Sequence, residues 1–147
     1  MTFFLFRFFF MSPLAAHALR LPPSSDLRES LVAYSQAHGI EAGAVLTCVG
    51  SLTHLCLRLA NQETATRYEG YFEIVSLVGT LSAAGGAHLH LAVADHTGRT
   101  LGGHLLAGSC IYTTAEVVLV ALPGLRFARE TDPTFGYREL VVKPAAS

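Results

Sequence analysis

Charge is scarce in this sequence. Only 14% of its 147 residues are charged, and the signs nearly cancel: 10 Lys or Arg against 11 Asp or Glu, a formal net charge of −1 with histidine neutral. Proteins that work mainly by gripping phosphate backbones carry a basic excess or a basic block. Here the basic residues are scattered, with no aromatic-interleaved basic stripe. Cysteine is also sparse. Cys48, Cys56 and Cys110 make an odd number with no C-x-x-C pair, which argues against a disulfide framework or a cysteine zinc knuckle. They alternate with apolar residues and read as small buried hydrophobes. There is no G-x-S-x-G, no P-loop and no Rossmann glycine pattern, and Gly85-Gly86 is too short to cradle a phosphate. No internal repeat or linker is visible.

Apolar residues are what the chain has. They form 51% of it, and the mean hydropathy is +0.42, which excludes a disordered or low-complexity protein. The length suits one domain around one core. The opening MTFFLFRFFF holds six of the nine phenylalanines and is foreign to the rest. It reads as an extension outside the fold (residues 1–16), with Met11 a sensible start for the domain. Two other readings are a membrane-surface anchor and a signal peptide cleaved at Ala16-His17-Ala18. Against the signal peptide, no basic segment precedes the run, Arg7 splits it and Pro13 closes it. The longest apolar stretch elsewhere, Cys110–Leu122, is short and carries Glu116, so no membrane span is expected. The domain is expected over residues 17–143 with a tail at 144–147, and its location to be intracellular, cytoplasmic or nuclear.

One helix followed by a run of strands is predicted, an α+β fold: a mostly antiparallel sheet or squashed barrel with one principal helix. His17–Leu21 reads as a strand ended by Pro22-Pro23. Ser25 or Asp26 then caps a helix, with Glu29 completing a D-x-x-E variant of the capping box. Leu27, Leu31, Tyr34 and His38 share one helical face, and Gly39 is a suitable stop. Further strands are expected at Ala42–Ser51, Thr53–Ala60, Gly70–Leu81, Ala87–Ala94, Arg99–Leu106, Cys110–Leu122 and Tyr137–Val142. In Gly70–Leu81 the alternation sets Phe72, Ile74 and Ser76 opposite Tyr71, Glu73 and Val75.

The chemistry lies in the histidines. His88 and His90 are two apart on a strand and project from the same face. A three-residue hairpin loop, His96-Thr97-Gly98, with Gly98 in the left-handed position, pairs Asp95 with Arg99. That register sets His104 opposite His90, and Leu106 opposite His88. Directly opposed Cβ atoms lie about 4.5–5.5 Å apart, so three imidazoles converge on one patch where Zn²⁺ fits, leaving a fourth position open. Gly102-Gly103 has no side chains to obstruct approach. A register change of one residue would turn His104 to the other face. A lone strand histidine is more often a satisfied core or surface residue; it is the third, across the hairpin, that favours a metal. Asp95 and His96 read as solvated turn formers, and His17, His38 and His54 receive no role.

Glu73 and Glu116 each interrupt an apolar strand. They are the acid–base candidates, as outer hydrogen-bond acceptors for a ligating imidazole or as general bases. Pairing with Arg58, Arg67 or Arg99 is the structural alternative.

Taken in order, GYFEIVSLVG (70–79), His88-Leu89-His90, Gly98, Gly102-Gly103-His104-Leu105 and TTAEV (113–117) resemble the PPC (plants and prokaryotes conserved) domain, as do ALRL (18–21), DLR (26–28) and VGSL (49–52) upstream. The resemblance runs from about Ala18 to Val142. It implies a compact fold that forms homotrimers, with zinc on the H-x-H…G-G-H set as in bacterial-type members. It also implies a more distant likeness to acetolactate decarboxylase, whose three histidines hold a catalytic zinc. Plant members follow AT-hook motifs in nuclear DNA-binding proteins. This chain has no R-G-R-P hook, so direct DNA binding is not expected. The function expected is a zinc-site protein that binds or transforms a small molecule; the alternative is a DNA-associated regulatory or oligomerisation module.

Overall fold

The structure is a computed structural model that describes residues 12–146. Its elements, in chain order, are β1 (Ala15–Leu21), α1 (Leu27–Ala37), β2 (Gly43–Arg58), β3 (Ala65–Ser82), β4 (Gly86–Ala94), β5 (Thr100–Leu105), β6 (Cys110–Ala121), β7 (Leu125–Thr131) and β8 (Arg138–Pro144). The α+β expectation holds. Six strands make an antiparallel sheet in the order β1-β6-β2-β3-β4-β5, and a further β2–β5 pairing partly closes it into a ring. The hydrophobic N-terminal run falls outside the described residues. Among the described ones, no helix is long and apolar enough to cross a membrane.

Local chemistry explains the helix. Asp26 is its N-cap, with Oδ1 accepting from the Glu29 N–H at 2.8 Å and Oδ2 from the Gly108 N–H at 2.5 Å. The reciprocal half of the capping box is not made; the Glu29 carboxylate pairs with Arg28 instead. Leu27 and Leu31 are fully buried and join Leu52, Leu57, Leu89, Leu91 and Leu105 in one apolar cluster. Tyr34 packs at its edge. Ser25 is not the cap: its hydroxyl donates to the Pro22 carbonyl.

Two strands predicted separately are one. β2 runs unbroken from Gly43 to Arg58, with register shifts at Val45/Thr47, Gly50/Leu52 and Leu52/His54. These irregularities bend the strand; β3 runs along one of its edges, while β6 and then β5 take the other. The alternation in β3 also slips. Phe72 and Ile74 share a face, as the alternation predicts, and that face is the core; a bulge between Ile74 and Ser76 then hands the inward positions to Leu77 and Leu81. The residues beyond the bulge include Val78 and Thr80, the partners of His90 and His88. β7 was not predicted: Leu125 and Phe127 form a small second core with Ala42, and β7 pairs with β8 as a two-stranded sheet.

Candidate metal centre

The turn between β4 and β5 forms as its sequence dictates. The Asp95 carboxylate accepts from the backbone N–H of Thr97 at 2.8 Å and of Arg99 at 3.1 Å, and the Gly98 N–H closes on the Asp95 carbonyl at 2.9 Å. Gly98 has φ +81°, the left-handed conformation that a glycine adopts freely. Asp95 pairs back to Arg99, and the ladder then runs Ala94↔Thr100 through to His90↔His104. The cross-strand register thus stands as the sequence required.

One pairing differs. Beyond His104, β5 leaves β4 and joins β2 through Arg58↔His104 and Leu57↔Leu105, and the Leu106 N–H donates to the Cys56 carbonyl. His88 therefore lies opposite Thr80 of β3 and not Leu106. The glycines before His104 also act differently from expectation. A Cβ on Gly102 would sit 2.6 Å from the Leu91 carbonyl oxygen, and one on Gly103 would sit 2.9 Å from that of Arg58. They allow β5 to press against both neighbours, and that contact closes the ring.

The three imidazoles come together on the outer face. Ring centroids are 5.2 Å apart for His88–His90, 5.1 Å for His88–His104 and 5.6 Å for His90–His104. One nitrogen from each lies within 4.8 Å of the others, so the trio can hold a metal ion. A tetrahedral ion at about 2.0–2.1 Å requires roughly 3.4 Å between nitrogens, a span that side-chain rotation would have to close. The donor set fits. The Nδ1 atom of His104 is buried with no hydrogen-bond partner, a state that a polar atom rarely keeps without a ligand.

Electrostatics favours neutral, ligating imidazoles. Burial pushes His104 down to about 4, helped by His88, Arg58, His90 and Arg28. Burial and then Arg129 lower His88, with smaller contributions from His90 and Arg58, while Glu139 acts the other way. An imidazole whose folded pKa is below its unfolded value of about 6.5 takes up fewer protons than the unfolded chain between those limits. Metal-free protein is therefore expected to lose stability as pH falls from 6.5 towards 4. Thermal unfolding across that range measures the slope, and His104→Gln should flatten it. An identical slope in the variant would contradict the assignment.

Glu73 and Glu116 are not brought to this trio. Glu73 is exposed and pairs with Ser51 and Ala94, five residues along β3 from the partner of His90, about 16 Å at 3.3 Å per residue. Glu116 is exposed on β6, between Arg20 and Val49. Neither forms an ion pair; among the described residues these are Arg28–Glu29 and Lys143–Glu130. Burial pushes the Cys48 thiol up to about 11, as expected of an inert core cysteine.

A cavity of about 640 Å³ opens beside His88 and His104, and its lining includes Arg58, Arg129, Tyr137, Arg138, Glu63 and Glu139. Four of those six come from β7, β8 and the turn joining them. Sequence reasoning gave them no site role, because only the folded hairpin brings them to the histidines. The available signal was the L-R-F alternation at 125–127.

A partly closed antiparallel strand ring with one helix and an outward three-histidine patch defines a small metal-competent α+β domain. Residues 10–123 match the Plants and Prokaryotes Conserved (PCC) domain, and the chain belongs to that family. A bifunctional protein GlmU from Synechococcus sp. is 46% identical over 133 residues, 90% of this chain. The chain spans about a fifth of that relative's length, 21%. AT-hook motif nuclear-localized protein 13 from Arabidopsis thaliana is 33% identical over 107 residues, covering 63% of this chain and 24% of the plant protein. Among solved structures, a hypothetical protein from Salmonella has a TM-score of 0.90 at 41% identity, covering 92% of this chain and 98% of its own. A metal-containing protein from Archaeoglobus fulgidus shares the fold at TM-score 0.77 and 23% identity, covering 90% and 98%.

Proposed function

We propose that this domain is a zinc-site protein that binds a small molecule, with His88, His90 and His104 as the metal ligands and identical subunits assembled as a trimer. The observation that carries the reading is the convergence of three imidazoles on one patch, with the buried Nδ1 of His104 lacking any other partner. A bound Zn²⁺ supplies Lewis acidity to an oxygen of the small molecule. The chain's own residues do the rest. β4 and β5 fix the three rings, and burial of His88 and His104 keeps protons from competing for their nitrogens. Of the acidic residues, Glu63 and Glu139 line the cavity, and Glu139 borders both the larger cavity and a second one of about 260 Å³ that also contain His88. We assign it the proton-handling position that the sequence offered to Glu73 and Glu116.

Assembly is supported by apolar surface. Leu46, Val49, Tyr71, Val75, Val78 and Tyr112 on β2, β3 and β6 are large and exposed, more than a small monomer ordinarily shows to water. The plant relative favours a DNA-associated module as a second reading, which the net charge of −1 opposes. Elemental analysis of untagged protein, coupled to native mass, should return one zinc per chain and a mass of three chains. Absence of metal would remove the site. DNA binding whose affinity falls steeply between two salt concentrations would favour the second reading.

A further inference from the structure

The walls of the large cavity carry more positive charge than its surroundings neutralise. Arg58 ends β2 beside His104, and Arg129 of β7 is fixed by a 3.1 Å hydrogen bond from Nη2 to Thr80 Oγ1. Thr80 is the cross-strand neighbour of His88, so that bond ties the guanidinium to β3, next to the histidine strand. Both arginines are half-buried, and among the described residues neither forms an ion pair. The carboxylates in the cavity, Glu63 and Glu139, are exposed, and among the described residues neither forms an ion pair with an arginine. A guanidinium has five N–H donors, and Arg129 gives one side-chain bond to Thr80. Fork-shaped donors left free in a concave, partly dehydrated wall are suited to bidentate recognition of an oxyanion. The volume, about 640 Å³, is that of a small-molecule pocket. Arg129 and Glu139 lie beyond residue 123, where the family match ends, so the terminal hairpin contributes the Arg129 side of this wall and β2 the Arg58 side.

We infer that Arg58 and Arg129 form an oxyanion subsite, which holds the carboxylate or phosphate of a small organic acid while another of its oxygens points to the histidine patch. The inference rests on the small-molecule reading of that patch and gives the ligand its chemical class. The two arginines approach from different strands and sit beside different histidines, so they clamp one end of a ligand and aim the other. Arg138 donates to the Arg129 carbonyl at 2.8 Å and holds β8 against the same wall.

Calorimetric titration with malonate and with inorganic phosphate tests this, on metal-stripped and on zinc-loaded protein. At least one probe should bind both forms, with Arg129→Gln and Arg58→Gln each weakening it about 10-fold or more. Thr80→Val should weaken it less, by releasing the anchor alone. Zinc content and thermal midpoint should stay near those of the parent in all three variants. Tighter malonate binding assigns a carboxylate ligand, and tighter phosphate binding a phosphate ester. Binding that survives both arginine substitutions, or no binding of either probe, overturns the subsite. Zinc uptake without anion binding would overturn it while leaving the metal centre intact. Arginine-dependent binding to a protein that takes up no zinc would sustain the subsite and sink the metal.

Discussion

Gly79→Ala is expected to lower stability by roughly 2–6 kcal/mol, the sum of an overpacking cost and a backbone cost of about 1–3 kcal/mol each. Gly79 has φ +141°, and a Cβ there would sit 2.0 Å from the His88 carbonyl oxygen and 2.9 Å from the Leu89 Cα. The obstruction is backbone, so no side chain can rotate out of its way. β3 and β4 would have to separate where Val78↔His90 and Thr80↔His88 flank the glycine. The strand that carries two of the three histidines would move with it. Gly98→Ala is the control: its φ is +81° but nothing lies within 4 Å of a Cβ there, so only a backbone penalty of about 1 kcal/mol applies. Urea denaturation of both variants measures the difference. Equal losses would mean that the β3–β4 contact is looser than described.

The other large effect concerns His104. His104→Ala should weaken zinc binding by more than about 100-fold, above the 10–100-fold that loss of an outer hydrogen-bond partner costs a metal site. Competition against a chromophoric chelator measures it. His88 and His90 lie on one strand and are held by β3, so the pair should survive the substitution and retain weak, two-ligand binding. His96→Ala, at the exposed turn tip of the same hairpin, should leave affinity unchanged. An equal loss from both variants would point to a disturbed hairpin in place of a lost ligand.

The features that could be read from sequence are those fixed locally. The register of the histidine hairpin comes from the four-residue turn 95–98, set by Asp95 and Gly98, and it places His104 against His90. The helix is written in Asp26 and the Leu27/Leu31 spacing. Features set by distant contacts were not legible. Leu106 turns away from His88 because β5 meets β2, some fifty residues earlier in the chain, and no local signal encodes that meeting. The slip in β3 depends on a bulge that simple alternation runs straight through. Arg58 read as a pairing partner for a carboxylate, and Arg129 gave no signal at all, because their shared wall exists only once β7, paired with β8, has packed against β3. Glu73 and Glu116 stood out as carboxylates in apolar strands, yet both simply face outward on the sheet.

X-ray absorption at the zinc edge, on untagged protein purified without added metal, tests the centre most directly. Three imidazole nitrogens at about 2.0–2.1 Å are predicted. Protein that carries no zinc, or a zinc whose neighbours include sulfur at about 2.3 Å, would contradict a site built from His88, His90 and His104.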